Sequence, residues 1–183
     1  PSTLEDLYKR TSDALSPLYD RMTSLIMQCD ILHVDETFIK MMVKGARKCK
    51  NAYMWCRLTG VGPPMIAFHF SPSRSQDVAK SLLGDYSGTI IRDSYIGYDK
   101  LECDVACCWA HVRRYLVEAF DNGYQKVEPL LKIVRSLYQI EHEAKERAEK
   151  KGTETALFQE RKTARRMSQK LVAEFFVQAK VLR

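Results

Sequence analysis

The run Ile31-Leu32-His33-Val34-Asp35-Glu36-Thr37-Phe38-Ile39 reads as an alternating strand, and Thr89-Ile90-Ile91-Arg92-Asp93 is a mostly apolar run that ends on an acid. Both patterns predict β-strands. Each sets an aspartate where a half-buried strand ordinarily carries Thr, Ser or Lys, because a carboxylate there must be desolvated and needs a partner of opposite charge. A metal ion is the simplest such partner. Two strand aspartates that converge suit Mg²⁺ or Mn²⁺, with carboxyl groups about 4 to 6 Å apart, and oxygen ligation of that kind points to phosphoryl chemistry. The alternative is a pair of unrelated strand-end acids, which any globular chain carries.

Outward from these two strands the pattern is that of a mixed α/β sheet. Leu4 to Gln28 has helical spacing, with Pro17 expected to break or restart the helix. Three strands, Ile31 to Val43, Ala52 to Leu58 and Met65 to Phe70, are joined by short polar connections and predict an antiparallel meander. Lys44, Arg47 and Lys48 fall at the basic tip of its first hairpin, and Gly60-Val61-Gly62-Pro63-Pro64 marks the second turn. A helix from Ser75 to Leu83, the strand Thr89 to Asp93, an apolar strand Val105 to Trp109 and a helix His111 to Phe120 then imply parallel pairing through right-handed crossovers. Three antiparallel strands followed by two parallel ones is the ribonuclease-H-like order. It puts the first strand at the centre beside the fourth, and so Asp35 beside Asp93. From Lys126 a long helix runs to Gly152, and a second one, from Glu154 to about Val181, is expected to fold back as a helical hairpin. The expected organisation is an N-terminal helical segment (1–28), a ribonuclease-H-like core (29–123) and a helical extension (124–183).

Composition narrows the class. A chain of 183 residues with 45% hydrophobic and 28% charged residues can bury a sizeable core. The net charge of +6 and pI near 9.0 favour an anionic partner such as nucleic acid. No apolar run approaches the roughly 18 residues of a membrane span and no signal-peptide pattern opens the chain, so a cytoplasmic protein without a membrane partner is expected. Six cysteines without a secreted spacing pattern are expected to be free thiols.

Several short strings carry a resemblance: His33-Val34-Asp35-Glu36-Thr37, Ser71-Pro72-Ser73-Arg74-Ser75, Leu83-Gly84-Asp85-Tyr86-Ser87-Gly88, Asp93-Ser94-Tyr95-Ile96-Gly97-Tyr98 and Cys108-Trp109-Ala110-His111-Val112-Arg113-Arg114, with Leu137-Tyr138-Gln139-Ile140-Glu141 beyond them. In this order they resemble the insertion-sequence-66 family of bacterial transposases, which are DDE-type recombinases. Ser94 departs from the glycine usual in that family. The resemblance implies Mg²⁺-dependent (or Mn²⁺-dependent) DNA strand cleavage and transfer, a homo-oligomer in the active complex, and Asp35 and Asp93 as the first two members of a catalytic acidic triad. The third member, a Glu in an Asn-Asn-x-x-Glu-Arg motif, has no counterpart, since the asparagines are Asn51 and Asn122 alone. The expectation is therefore a truncated and inactive catalytic fragment, with a ribonuclease-H-like nuclease or a non-catalytic nucleic-acid-binding module as alternatives.

Chemistry assigns roles to the residues around the two acids. Glu36 adjoins Asp35, but strand alternation sends it to the other face, which suits a structural role. Glu118 is the in-chain substitute for the missing acid, at a spacing that equally suits a solvent-facing helix position. Cys108-x-x-His111 has a counterpart in the Cys-x-x-His motif of other DDE enzymes; His111 is either a buried, hydrogen-bonded histidine or a DNA contact, and zinc ligation would need Cys103 or Cys107 as well. Arg113 and Arg114, in the first turn of a helix, oppose the dipole unless an anion lies near, which favours DNA. Arg74, Lys44, Arg47 and Lys48 complete the DNA-binding candidates, against the alternative that they serve solubility.

Overall fold

The computed structural model describes residues 3–43, 45, 47–153 and 155–182. The hairpin cation Lys44 lies outside the described residues. Five strands form one mixed sheet: β1 (Ile31–Met41), β2 (Lys50–Thr59), β3 (Ile66–Ser71), β4 (Thr89–Arg92) and β5 (Asp104–Cys107), in the spatial order β3-β2-β1-β4-β5. β1, β2 and β3 pair antiparallel, and β4 and β5 join parallel to the other side of β1. The chain divides into two compact units, residues 1–108 and 109–183.

In the first unit the period-two pattern fixes which side chains reach the core. Leu32 and Val34 of β1, Trp55 of β2, Ala67 of β3 and Ile90 of β4 are buried, and Ala79 and Leu83 of helix α2 (Gln76–Leu83) close over them. Arg57, opposite Val34, is buried as well and donates from Nη1 to the Leu82 carbonyl at 3.3 Å. That carbonyl belongs to the last turn of α2, where oxygens lack intrahelical donors and the dipole favours a cation. Tyr86 passes its hydroxyl to the Cys29 carbonyl at 2.9 Å, and Gly88 makes room for it, since a Cβ there would collide with the Tyr86 ring and the Asp30 carbonyl.

Helix α1 (Thr3–Ile26) runs unbroken through Pro17, contrary to the expected interruption. Proline deprives the Asp13 carbonyl of its intrahelical donor. Both residues are exposed, so water can serve that oxygen. Only the C-terminal end of α1 packs on the sheet: Tyr19, Met22 and Ile26 join the core, and the Tyr19 hydroxyl donates to the Phe68 carbonyl at 2.9 Å.

The second unit holds α3 (Trp109–Asp121), α4 (Glu128–Lys151) and α5 (Ala156–Val181). This unit begins with α3, and Trp109 starts a helix rather than ending a strand. The reason is packing. Trp109 sets its ring edge-on to Phe175 at 5.0 Å, and Val112 and Leu116 pack with Leu130, Ile133 and Val134. α4 and α5 form the expected antiparallel hairpin, and Gly152 ends α4 in the left-handed conformation (φ 62°) that glycine adopts without a Cβ penalty. Across the hairpin Glu160 accepts from Arg147 Nε at 2.9 Å and from Lys151 Nζ. The hydrogen bonds from Lys151 and then Arg147 hold its carboxyl below the usual glutamate range. Arg161 and Arg165 both pair with Glu141, at 3.3 and 3.1 Å. Among the described residues no helix is long and apolar enough to cross a membrane.

Candidate metal centre and nucleic-acid interface

The parallel ladder between β1 and β4 pairs Ile31 with Thr89, Leu32 with Ile90 and His33 with Ile91. Asp35 and Asp93 each follow the last pair by two residues, Asp35 still within β1 and Asp93 just past the end of β4, and a continuation of this register would set them at the same level. Strands pair at about 4.8 Å, within the span two carboxylates bridge when they share a cation. The Tyr98 hydroxyl has its pKa raised first by burial, then by its bond to Glu36, with smaller contributions from the charges of Glu36, Asp35 and Asp93.

Each acid is locally ordered. Asp35 Oδ1 accepts the Glu36 backbone N–H at 3.0 Å, and Asp93 Oδ1 accepts the Tyr95 N–H at 2.9 Å, an Asx turn that caps the end of β4. Arg92 clamps the same turn, donating from Nη1 to the carbonyls of Asp93 and Tyr95 at 3.0 Å each and from Nη2 to Asp99 at 2.7 Å. The short 3₁₀ turn Ile96–Tyr98 follows and sends Tyr98 into the core, edge-on to Trp55 at 5.9 Å. Asp35 is exposed and Asp93 partly so, and anionic oxygens at the rim of a sheet fit a hard divalent ion. Among the described residues no group of three or more His, Cys, Asp or Glu side chains gathers to hold a metal.

Glu36 points away from this rim, as strand alternation predicts. Its side chain is 1% exposed and pairs with Arg74, whose Nε donates to Oε1 at 2.7 Å, while Tyr98 donates its hydroxyl to Oε2. Burial is the strongest influence on the Glu36 carboxyl and pushes its pKa up; the bonds from Tyr98 and Arg74 pull the other way. This pairing alters the reading of Arg74. Its guanidinium also lies 3.9 Å over the Tyr95 ring, and its side chain remains 39% exposed, so the pairing offsets part of its charge without closing it to a phosphate.

The other DNA-binding candidates separate by location. Arg47 and Lys48 are exposed between β1 and β2. Arg113 and Arg114 are exposed on α3, His111 on the same helix is partly buried, and Glu118 is exposed. Arg113 lines a cleft of about 370 Å³ between α3 and α4 together with Lys132, Arg135, Phe120 and Tyr138. The sequence reading missed Lys132 and Arg135. The signal was present in their spacing, since Leu131, Lys132, Arg135 and Tyr138 share neighbouring positions on one stretch of helix. Among the described residues no His, Cys, Asp or Glu group joins Cys108 and His111 as a zinc ligand set, and all six cysteines are free thiols.

Comparison with known proteins places these features. The family described as "Transposase IS66 family" matches residues 1–181. The uncharacterized protein y4jD of Sinorhizobium fredii (strain NBRC 101917 / NGR234) is 29% identical over 146 residues, which cover 70% of this chain and 29% of that protein. Protein y4qI of the same strain is 25% identical over 149 residues, covering 72% of this chain and 28% of that protein. The chain thus spans less than a third of the length of these relatives.

Proposed function

The chain belongs to the IS66 family of transposases, and on that premise we propose that it supplies a ribonuclease-H-like catalytic core for metal-dependent cleavage and transfer of DNA strands, with Asp35 and Asp93 as ligands for Mg²⁺ or Mn²⁺. The observation that supports this reading is the parallel β1–β4 register, whose continuation by two residues on each chain segment would pair Asp35 with Asp93. The mixed five-stranded sheet with its flanking helices supports the α/β part of that assignment. When bound, the metal would activate the attacking oxygen and neutralise charge on the scissile phosphate. The two carboxylates hold it, and the Asx turn at Asp93 and the Arg92 clamp keep the second carboxylate from swinging with the loop. The resemblance extends the proposal to a homo-oligomeric active complex.

DNA is the proposed partner. Arg113, Arg114 and Arg135 form the cationic surface for its phosphates, with Arg47 and Lys48 at the hairpin as further contacts; Lys132 beside them is paired with Glu128 at 2.8 Å. Phosphate contacts of this kind position DNA without reading its sequence. Fluorescence anisotropy with unrelated duplexes should therefore show sequence-independent binding that weakens steeply with salt. Reversing both Arg113 and Arg114 to Glu should lower the salt slope by about two, at roughly one for each phosphate that is no longer neutralised. Reversing Arg161 and Lys162 should matter less, because Arg161 is already paired with Glu141. Equal losses from the two pairs, or binding indifferent to salt, would remove α3 from the interface.

A further inference from the structure

The β1–β4 ladder stops at His33 and Ile91, two residues short of the acids. Ladder hydrogen bonds therefore do not set the spacing at the level of Asp35 and Asp93, and something else must. On the opposite face of the sheet a continuous set of side-chain contacts leads from one acid to the other. It starts at Glu36, the residue after Asp35, whose two carboxylate oxygens are both engaged: Oε1 by Arg74 and Oε2 by the Tyr98 hydroxyl. Tyr98 sits edge-on to Tyr95 at 5.8 Å, and Tyr95 donates its hydroxyl to the Arg74 carbonyl while its ring lies under the Arg74 guanidinium. The Tyr95 backbone N–H then holds Asp93 Oδ1 at 2.9 Å.

An ion pair with a buried carboxylate, here Glu36 at 1% exposure against Arg74 at 39%, is an inefficient way to stabilise a fold, because desolvation of the carboxylate offsets much of the attraction. What such a pair does supply is directional geometry, and here it joins segments 38 and 62 residues apart in the chain. We propose that Glu36, Arg74 and Tyr98 are positioning residues, a strut behind the sheet that fixes the separation of Asp35 and Asp93 and thereby sets the affinity of the site for its divalent cation. The proposal rests on the reading of the two aspartates as metal ligands. None of the three residues touches the metal; they act through the backbone of Glu36 and Tyr95.

The test uses the intact 183-residue chain, titrated with Mn²⁺ and followed by the electron paramagnetic resonance signal of the free ion, together with residue-level hydrogen exchange without metal. Tyr98→Phe keeps the ring and removes one hydroxyl, and Glu36→Gln keeps the shape and removes the charge. Both are expected to weaken Mn²⁺ binding by about 10- to 100-fold, the scale on which supporting partners of metal ligands act, and to speed exchange of the Tyr95 amide. Ile26→Val, a core change elsewhere in the same unit, should alter neither beyond a general loss of stability. Folded Tyr98→Phe protein that binds Mn²⁺ like the wild type overturns the strut, and should Glu36→Gln fail to fold, Tyr98→Phe decides alone. If the wild type binds no Mn²⁺, or Asp35→Asn leaves binding intact, the ligand reading fails. Exchange then settles the strut by itself, since unchanged protection of the Tyr95 amide in Tyr98→Phe would refute it.

Discussion

Alanine at Asp35 or at Asp93 is expected to lower metal-dependent strand cleavage by at least about 100-fold when these residues are carried in a full-length transposase of the family, the scale of losing one group that stabilises charge in the transition state. DNA binding in the same variants should be nearly unchanged, since phosphate attraction comes from cations on α3 and α4 and not from the acids. The 183 residues by themselves are expected to cut no DNA in Mg²⁺ or Mn²⁺. Among the described residues no third acid joins the pair, and two carboxylates leave a second ion without fixed geometry for in-line displacement. Metal-dependent cutting by the short chain that vanishes on Glu118→Ala would instead establish a nuclease with an in-chain third acid. The assay is gel analysis of an end-labelled duplex with and without a chelator.

The largest stability effect should come from Trp55→Ala. Trp55 is 2% exposed, packs on Tyr98, and donates its indole N–H to the Ser73 carbonyl at 3.4 Å. Truncating a buried aromatic of this size costs about 3 to 5 kcal/mol. Hydrogen exchange at the Leu32, Val34 and Ile90 amides reads that loss within the sheet, and exchange governed by unfolding of the unit should accelerate by about 100-fold or more. Phe68→Ala, on an exposed position of β3, should change exchange far less. Similar effects from the two substitutions would mean that the core is not organised around Trp55.

The parts of this structure visible in the sequence were those written in local periodicity. Alternation around Asp35 gave β1 and put Glu36 on the face away from it; the apolar run ending at Asp93 gave β4; crossover logic set the two strands side by side. Gly152 marked a helix end because only its left-handed conformation could terminate that turn cleanly. The misreadings share a cause, which is a partner that sequence distance conceals. Pro17 reads as a breaker, yet its part of α1 is exposed, where solvent can serve the carbonyl that lacks a donor. Trp109 continues an apolar run and reads as strand, but its ring partner is Phe175, on α5. The partner that Arg74 has in Glu36 is concealed in the same way, since it lies 38 residues away. Lys132 and Arg135 gain meaning only once α3 lies against α4 and Arg113 faces the same cleft.

The central claim, that Asp35 and Asp93 act together on one ion and are not unrelated strand-end acids, is tested most directly by titrating Mn²⁺ into the wild-type chain and into Asp35→Asn and Asp93→Asn. The predicted result is binding by the wild type that Mg²⁺ competes away, and a loss of at least about 10-fold in affinity from either single substitution, since removing a ligand should cost no less than removing its supporting partner. Mn²⁺ affinity that survives in either variant, with the protein still folded, would contradict a shared site.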